Sequence, residues 1–251
     1  MIRRTSVGSF RAVSFDVGET LVRPYPSFAA AFARLCREGG VDLADEQASR
    51  VEPLLAERMA DYQRRGLMFS DTAESSRTFW GCIYRDCLSD LGVEGPTLAG
   101  LPDALYEGFT RSETYALIDD AREVIVELRR RGFRVGVLSN WESWLPRMLS
   151  DFRLDEALDF EIVSGVLGFE KPDPRIYAAA VEAAGVAPAE MLHVGDSYVT
   201  DVTGPRAAGM TAVLFDRFDR RPTADCPRIA RLSELLDAES PAGSLLAAPL
   251  T

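Results

Sequence analysis

The sequence has few of the residues that build zinc sites or disulfide scaffolds. Its 251 residues include one histidine, His193, and four irregularly spaced cysteines. One imidazole and scattered thiols do not supply the paired Cys and His ligands of a structural zinc site. We therefore expect the cysteines to be free thiols, as is usual in a reducing cytosol.

Long hydrophobic runs and net positive charge are also missing. No apolar run reaches the roughly 18 residues of a membrane span, and the first ten residues lack the apolar core of a secretory signal. The formal net charge of −11 repels nucleic acid and anionic membranes. We expect a cytoplasmic protein, either a monomer or a homodimer, that binds neither nucleic acid nor membrane.

Apolar residues, 47% of the chain, are numerous enough for a sizeable core. Five short runs rich in β-branched and aromatic residues lack polar alternation, which is typical of parallel strands covered on both faces. They are Arg11–Asp16, Phe133–Leu138, Phe160–Val163, Met191–Val194 and Thr211–Phe215. Helical patterns separate them, at 119–131, 174–184, 200–208 and 229–238. This alternation predicts an α/β fold with a doubly wound, mostly parallel sheet.

The stretch that follows the first strand has a different pattern. It contains helical segments and no convincing strand: 28–38, 45–65, 72–91 and 103–111. We predict an all-helical cap domain at 22–113, inserted into an α/β core formed by 1–21 and 114–251.

Polar residues gather where ligands bind in open α/β sheets, at the carboxyl ends of the strands. A carboxylate there can attack phosphorus and form an acyl phosphate. Several close carboxylates demand a hard cation with oxygen ligands, and a lysine adds positive charge. Neutral donors can bind phosphoryl oxygens. The residues in question are Asp16, Ser139, Asn140, Lys171, Asp196 and Asp201. Together they predict phosphoryl transfer.

Each of these residues also has a simpler explanation when taken alone. Asp16 could be a turn residue, and Lys171 a solvated surface lysine. His193 lies within an apolar run, so we interpret it as a packed core histidine. Trp141 is likewise attributed to core packing. The functional interpretation depends on the whole set and its order along the chain.

Four motifs carry a resemblance to a known family. FDVGET at Asp16, LSN at Ser139, EKPDPRIY at Lys171 and GDSYVTD at Asp196 and Asp201 resemble the haloacid dehalogenase (HAD) superfamily. The helical insertion resembles its C1-type cap. The stretches KPDPRIY and GDSYVTDVTGPRAAGM look closest to the subgroup of haloacid dehalogenase-like hydrolase domain-containing protein 3.

The resemblance implies a Mg²⁺ cofactor, a small phosphorylated substrate and a set of roles. Asp16 would be the nucleophile and a metal ligand, and Gly18 would offer its backbone carbonyl to Mg²⁺. Ser139 would bind the phosphoryl group with Asn140 beside it, while Lys171 would steady the nucleophile and the transferred charge. Asp196 would be a metal ligand, and Asp201 a metal ligand or a partner of Lys171.

One position departs from the family pattern. Phosphatases that the sequence resembles usually carry a second Asp two residues after the nucleophile, as general acid and base. Here that position is Gly18, with Glu19 next to it. General acid–base help is typically worth about 10²–10⁴-fold in rate.

Three hypotheses therefore stand. The first is a Mg²⁺-dependent phosphatase of a small metabolite, slowed by Gly18. The second is a 2-haloacid dehalogenase that uses Asp16 without metal, which Gly18 permits but the acidic fourth motif disfavours. The third is a protein that binds a phosphorylated ligand or a partner without turnover.

Overall fold

The structure is a computed structural model that describes residues 10–65 and 69–247. In these two ranges, six strands form one parallel sheet in the order β5-β4-β1-β6-β7-β8, and β2 and β3 form a separate antiparallel pair. The strands are β1 (Ala12–Phe15), β2 (Val22–Pro24), β3 (Tyr115–Leu117), β4 (Arg134–Ser139), β5 (Phe160–Val163), β6 (Met191–Gly195), β7 (Thr211–Phe215) and β8 (Arg228–Ile229).

Within the described residues, ten α-helices accompany the strands. They are α1 (Phe28–Glu38), α2 (Asp45–Arg64), α3 (Ala73–Asp90), α4 (Leu101–Phe109), α5 (Ala121–Arg130), α6 (Leu145–Asp151), α7 (Ser164–Leu167), α8 (Pro174–Ala184), α9 (Gly204–Ala207) and α10 (Gly243–Leu246). A π-helical segment, Tyr198–Thr203, leads into α9, and five 3₁₀ segments cover Pro96–Ala99, Ser112–Thr114, Asp155–Ala157, Pro188–Glu190 and Leu232–Leu236.

The predicted α/β fold is confirmed. All five predicted strands belong to the parallel sheet, with β1 between β4 and β6. Their side chains are almost all buried, because helices cover both faces. Ser14 on β1 lies in register between Gly136 on β4 and His193 on β6.

Three of the predicted segments differ in the structure. The segment 229–238, predicted as a helix, forms the end of β8 and a 3₁₀ turn, because Ile229 pairs with Phe215 on β7. The segment 200–208 is partly π-helical. Val22–Pro24, inside the stretch predicted to lack strands, pairs with β3. Short apolar runs do not distinguish strand from helix by periodicity.

Helices α1–α4 pack around a hydrophobic cluster of their own. Phe32, Ile83, Leu88 and Leu105 are buried at its centre, and it is distinct from the clusters that flank the sheet. The side chains of Ser27 and Thr72 cap the first turns of α1 and α3 by accepting backbone hydrogen bonds. Such a cluster agrees with the predicted helical cap, whose boundaries remain a prediction.

Two expectations about the whole chain concern cysteines and membranes. All four cysteines lie in the described ranges and are free thiols. Among the described residues, no helix is long and apolar enough to span a bilayer.

The packing between β4 and β5 gives the first testable prediction. A Cβ atom on Gly136 would overlap the ring and the backbone oxygen of Phe160. We expect Gly136→Ala to lower the free energy of unfolding by about 1–3 kcal/mol, the usual cost of overpacking a core. Gly81→Ala in α3 is the matched control, because its Cβ would meet nothing within 4 Å. Urea denaturation measures both, and equal stabilities would contradict the prediction.

Candidate active site

Four separate segments meet at the carboxyl end of the sheet. Asp16 directly follows β1, Ser139 ends β4, Lys171 precedes α8, and Asp201 lies in the π-helical segment after β6. Because β1 lies between β4 and β6, the ends of these strands are neighbours. The structure thus brings together the residues that the sequence singled out, at the edge where ligands bind in open α/β sheets.

Lys171 is the centre of the site. Its Nζ donates to Asp16 Oδ1 at 2.9 Å, to Asp201 Oδ1 at 2.6 Å and to the backbone oxygen of Leu138 at 3.0 Å. The residue is 3% exposed. An ammonium group has three donors, and all three are used. Lys171 is therefore a buried bridge between two carboxylates, not the solvated lysine that its type alone suggests.

The two oxygens of Asp16 have different surroundings. Oδ1 accepts hydrogen bonds from Lys171 and, at 3.0 Å, from Ser139 Oγ. Oδ2 receives no hydrogen bond from the residues that the structure describes. One oxygen is thus fixed by donors, and the other remains free to react.

Asn140 lies beside this group, but its contacts are with Lys171. Its Nδ2 donates to the backbone oxygen of Lys171 at 2.9 Å, and its Oδ1 accepts from the backbone N–H of Lys171 at 2.6 Å. The Asn140 side chain therefore positions the lysine loop. The phosphoryl contact that the sequence predicted for Asn140 stays a prediction.

Three carboxylates form a candidate cation site. Asp16, Asp196 and Asp201 each offer one oxygen, and these oxygens lie within 4.8 Å of one another. Asp16 and Asp201 are buried, while Asp196 opens to solvent. Asp201 can approach this closely because Gly195 has no side chain. A Cβ atom at that position would overlap the Asp201 carboxyl group. Its Oδ2 accepts from the backbone N–H of Ser197 at 2.9 Å.

The charges in this cluster are not balanced. Burial, partly offset by Lys171, raises the pKa of Asp16. Although Asp196 as a whole is exposed to solvent, partial desolvation of its carboxyl group, together with repulsion from Asp16 and Asp201, raises its pKa well above the usual range. Burial opposes ionisation of Asp201, yet Lys171 and His193 hold its pKa below the usual range. One lysine therefore does not neutralise the three acids, and a cation would.

The position of the missing acid–base residue faces an indole ring. A Cβ atom on Gly18 would lie 3.3 Å from Cζ3 of Trp141. Trp141 packs edge-on against Tyr115 and Trp144, with centroids 5.5 Å away in both cases. Neighbouring Glu19 is exposed, with its backbone in the left-handed region at φ 56°. An aromatic side chain thus occupies the space beside Gly18.

Sequence reasoning missed two features of the site. His193, interpreted as a packed core residue, is fully buried but hydrogen-bonded to Ser14 and Asp201. The composition also points to Lys171, apart from its motif. It is the only lysine in the sequence, and the other 27 residues counted as Lys or Arg are arginine. A chain that uses arginine everywhere else keeps an ammonium group at this position.

The helical region touches the site through polar contacts. Ser70, before α3, donates to Glu170 at 2.7 Å and contacts Ser164 Oγ at 2.7 Å. Tyr106 on α4 donates to Glu142, which follows Trp141. These contacts join the α3 and α4 region to Glu170 and Glu142, which lie close in sequence to Lys171 and Ser139.

The comparisons with known proteins agree with this geometry. The family model for haloacid dehalogenase-like hydrolases matches residues 10–209, so the chain belongs to the haloacid dehalogenase-like hydrolase family. Human haloacid dehalogenase-like hydrolase domain-containing protein 3 is 32% identical over 211 residues, which are 81% of each chain. The predicted resemblance to that subgroup is confirmed.

Two further relatives are informative. Phosphoserine phosphatase of Thermus thermophilus is 30% identical over 247 residues, covering 90% of this chain and 97% of that protein. A solved dehalogenase structure is 26% identical with a TM-score of 0.70, covering 92% of this chain and 97% of that one. Both chemistries suggested by the sequence thus occur among similar proteins.

Loss of the buried ammonium group should be costly. We expect Lys171→Met to lower the free energy of unfolding by about 3–5 kcal/mol without added metal, because it leaves buried carboxylates unpaired. Mg²⁺ should restore part of this loss. The control is Arg175→Met, since the Arg175 side chain is 66% exposed beside Asp173 and such pairs contribute less than about 1 kcal/mol. Denaturant titrations with and without Mg²⁺ test this, and a Mg²⁺-independent loss would argue against the cation site.

Proposed function

We propose that this protein is a Mg²⁺-dependent phosphatase of a small phosphorylated metabolite. The observation that carries the proposal is the arrangement of Lys171 between Asp16 and Asp201, with Asp196 completing a group of three carboxylates. The reaction would proceed through an aspartyl-phosphate on Asp16. We further propose that the helical region at 22–113 acts as a cap that excludes water and contributes substrate contacts.

The residues present fit a magnesium ion. Mg²⁺ prefers oxygen ligands and usually binds through one or two carboxylates, water and substrate phosphate. Asp16 and Asp196 would hold it with the backbone carbonyl of Gly18, and Asp201 would lie against them. The raised pKa of Asp196 supports this assignment, because the cluster carries more negative charge than Lys171 offsets. When bound, the ion would neutralise charge on the transferred phosphoryl group.

Two steps follow for the chain's own residues. In the first, Asp16 Oδ2 attacks phosphorus, a new O–P bond forms, and the bond to the leaving oxygen breaks. In the second, water attacks the same phosphorus, which frees the Asp16 carboxylate and releases inorganic phosphate. Lys171 and Ser139 lie within hydrogen-bond distance of Asp16, so they are placed to stabilise charge on the phosphoryl oxygens.

Proton transfer is the weak point of this mechanism. The leaving oxygen must gain a proton, and the attacking water must lose one. Gly18 has no side chain to do either, and the indole of Trp141 beside it has no basic group. We therefore expect formation of the phosphoenzyme to be efficient for substrates with good leaving groups, and its hydrolysis to be slow.

The nucleophile is tested by removing its charge. Asp16→Asn should abolish hydrolysis of a panel of phosphate esters with Mg²⁺, and should abolish acid-stable labelling of the protein by the transferred phosphoryl group. Asp119→Asn, which changes an exposed carboxylate, is the control and should behave as wild type. Turnover by Asp16→Asn equal to that of wild type would contradict the proposal.

The glycine at position 18 is tested by restoring the missing side chain. Gly18→Asp with Trp141→Leu, which makes room for the carboxyl group, should raise the hydrolysis rate towards the ~10²–10⁴-fold that acid–base help provides. Gly18→Asn with Trp141→Leu has the same shape but transfers no proton, and should stay slow. Single-turnover decay of the phosphoenzyme measures the rates, and equal decay of the two double variants would show that proton transfer does not limit hydrolysis.

A dehalogenase is the second candidate. The similarity to a solved dehalogenase and the absence of a carboxyl group at Gly18 both favour it. The crowding of Asp196 against Asp16 and Asp201 counts against it, since attack on carbon needs no cation site. Release of halide from 2-chloropropionate without metal would support the dehalogenase. Tight binding of Mg²⁺ and fluoroaluminate without any turnover would instead support a phospho-ligand-binding protein.

A further inference from the structure

We propose that His193 is a positioning residue that fixes Asp201, and through it Lys171, against the nucleophile. The catalytic consequence of this inference rests on the proposed phosphatase function. The hydrogen-bond arrangement itself does not depend on that function.

The histidine lies in the sheet, beneath the reactive residues. His193 is in the middle of β6 and in register with Ser14 on β1. Its Nδ1 is 2.8 Å from Ser14 Oγ, and its Nε2 is 3.2 Å from Asp201 Oδ1. Both Ser14 and His193 are fully buried. A polar pair inside a parallel sheet, with both ring nitrogens in contact, is not required for packing.

The hydrogen-bond partners determine the direction of each bond. A carboxylate only accepts, so Nε2 of His193 carries the proton and donates to Asp201. In the neutral ring, Nδ1 then accepts from the hydroxyl of Ser14. The chain of donors runs from Ser14 through His193 to Asp201, and a histidine's second hydrogen bond commonly fixes its tautomer in this way.

Asp201 needs this third donor because its carboxylate has to hold Lys171 in position. Its Oδ1 accepts from Lys171 at 2.6 Å and from His193, while Oδ2 accepts from the backbone of Ser197. Without His193, the Oδ1 end is held by Lys171 alone, and that lysine also has to hold Asp16. Rotation of the Asp201 carboxylate would then move the ammonium group relative to the nucleophile.

Kinetics of matched variants test the catalytic consequence. With p-nitrophenyl phosphate and Mg²⁺, His193→Leu should lower kcat about 10–100-fold, the usual cost of losing a supporting contact, with KM changed little. His193→Gln places an amide N–H near Nε2 and should recover most of kcat. Leu192→Val, a change of buried volume at the neighbouring position, should lower stability without lowering kcat.

Spectroscopy tests the arrangement without any turnover. His193 is the only histidine, so a ¹⁵N-histidine-labelled protein without an affinity tag gives one imidazole. We expect a protonated Nε2 and an unprotonated Nδ1. Asp201→Asn should shift the Nε2 resonance, and Ser14→Ala should shift mainly Nδ1. Mg²⁺ with fluoroberyllate should shift Nε2 as well, because the site around Asp201 becomes occupied.

The outcomes separate the two proposals. If wild type hydrolyses no phosphate ester but Nε2 responds to Asp201→Asn, the phosphatase proposal fails and the positioning contact stands. If Nδ1 carries the proton, or Nε2 is unchanged in Asp201→Asn, the positioning role is overturned. The same conclusion follows if His193→Leu folds and keeps the wild-type kcat, or if His193→Gln is as slow as His193→Leu.

Discussion

The structure depends on one buried interaction, the ammonium group of Lys171 held between the carboxylates of Asp16 and Asp201. Removal of a charge from water costs several kcal/mol unless partners of opposite charge and good geometry replace the water. Here every N–H of the ammonium group has a partner, at 2.6–3.0 Å. Because those partners come from three separate segments, the ion cluster tolerates little movement of β1, β4 or the turn after β6.

The need to hold this buried ion cluster in a fixed geometry explains several features around it. A side chain on Gly195 would exclude Asp201, so the tight approach of that carboxylate needs a glycine at the end of β6. Asn140 uses both its amide oxygen and its amide nitrogen to hold the backbone of Lys171. Polar groups inside a sheet normally cost stability unless they are hydrogen-bonded. Ser14 and His193 satisfy each other and reach Asp201, which is why they fit within β1 and β6.

The sequence was sufficient for the sheet and for the meeting of the motifs, because buried parallel strands appear as apolar runs and their carboxyl ends share one edge. It was insufficient where long-range pairing decides the structure. The pairing of Val22–Pro24 with Tyr115–Leu117 joins segments far apart in the chain, and no local sequence pattern predicts it. The predicted burial of His193 is confirmed, but its polar contacts were not foreseen, since an apolar strand context shows that a residue is buried but not what it contacts. The importance of Lys171, by contrast, could be inferred from the sequence, because it is the only lysine in the composition.

The surroundings of Gly18 separate the two halves of the proposed reaction. Formation of the proposed acyl phosphate needs a free carboxylate oxygen, which Asp16 offers, and compensation of charge. Lys171 would supply part of that compensation, and a cation held by the three carboxylates would supply the rest. Its hydrolysis needs a group that moves protons, and the space for one faces the ring of Trp141. Tyr115 and Trp144 pack against that ring and restrict its movement. A carboxyl group added at position 18 alone would therefore be crowded by Trp141. Glycine at 18 and the aromatic cluster are therefore consistent with each other, and together they favour a long-lived phosphoenzyme over rapid turnover.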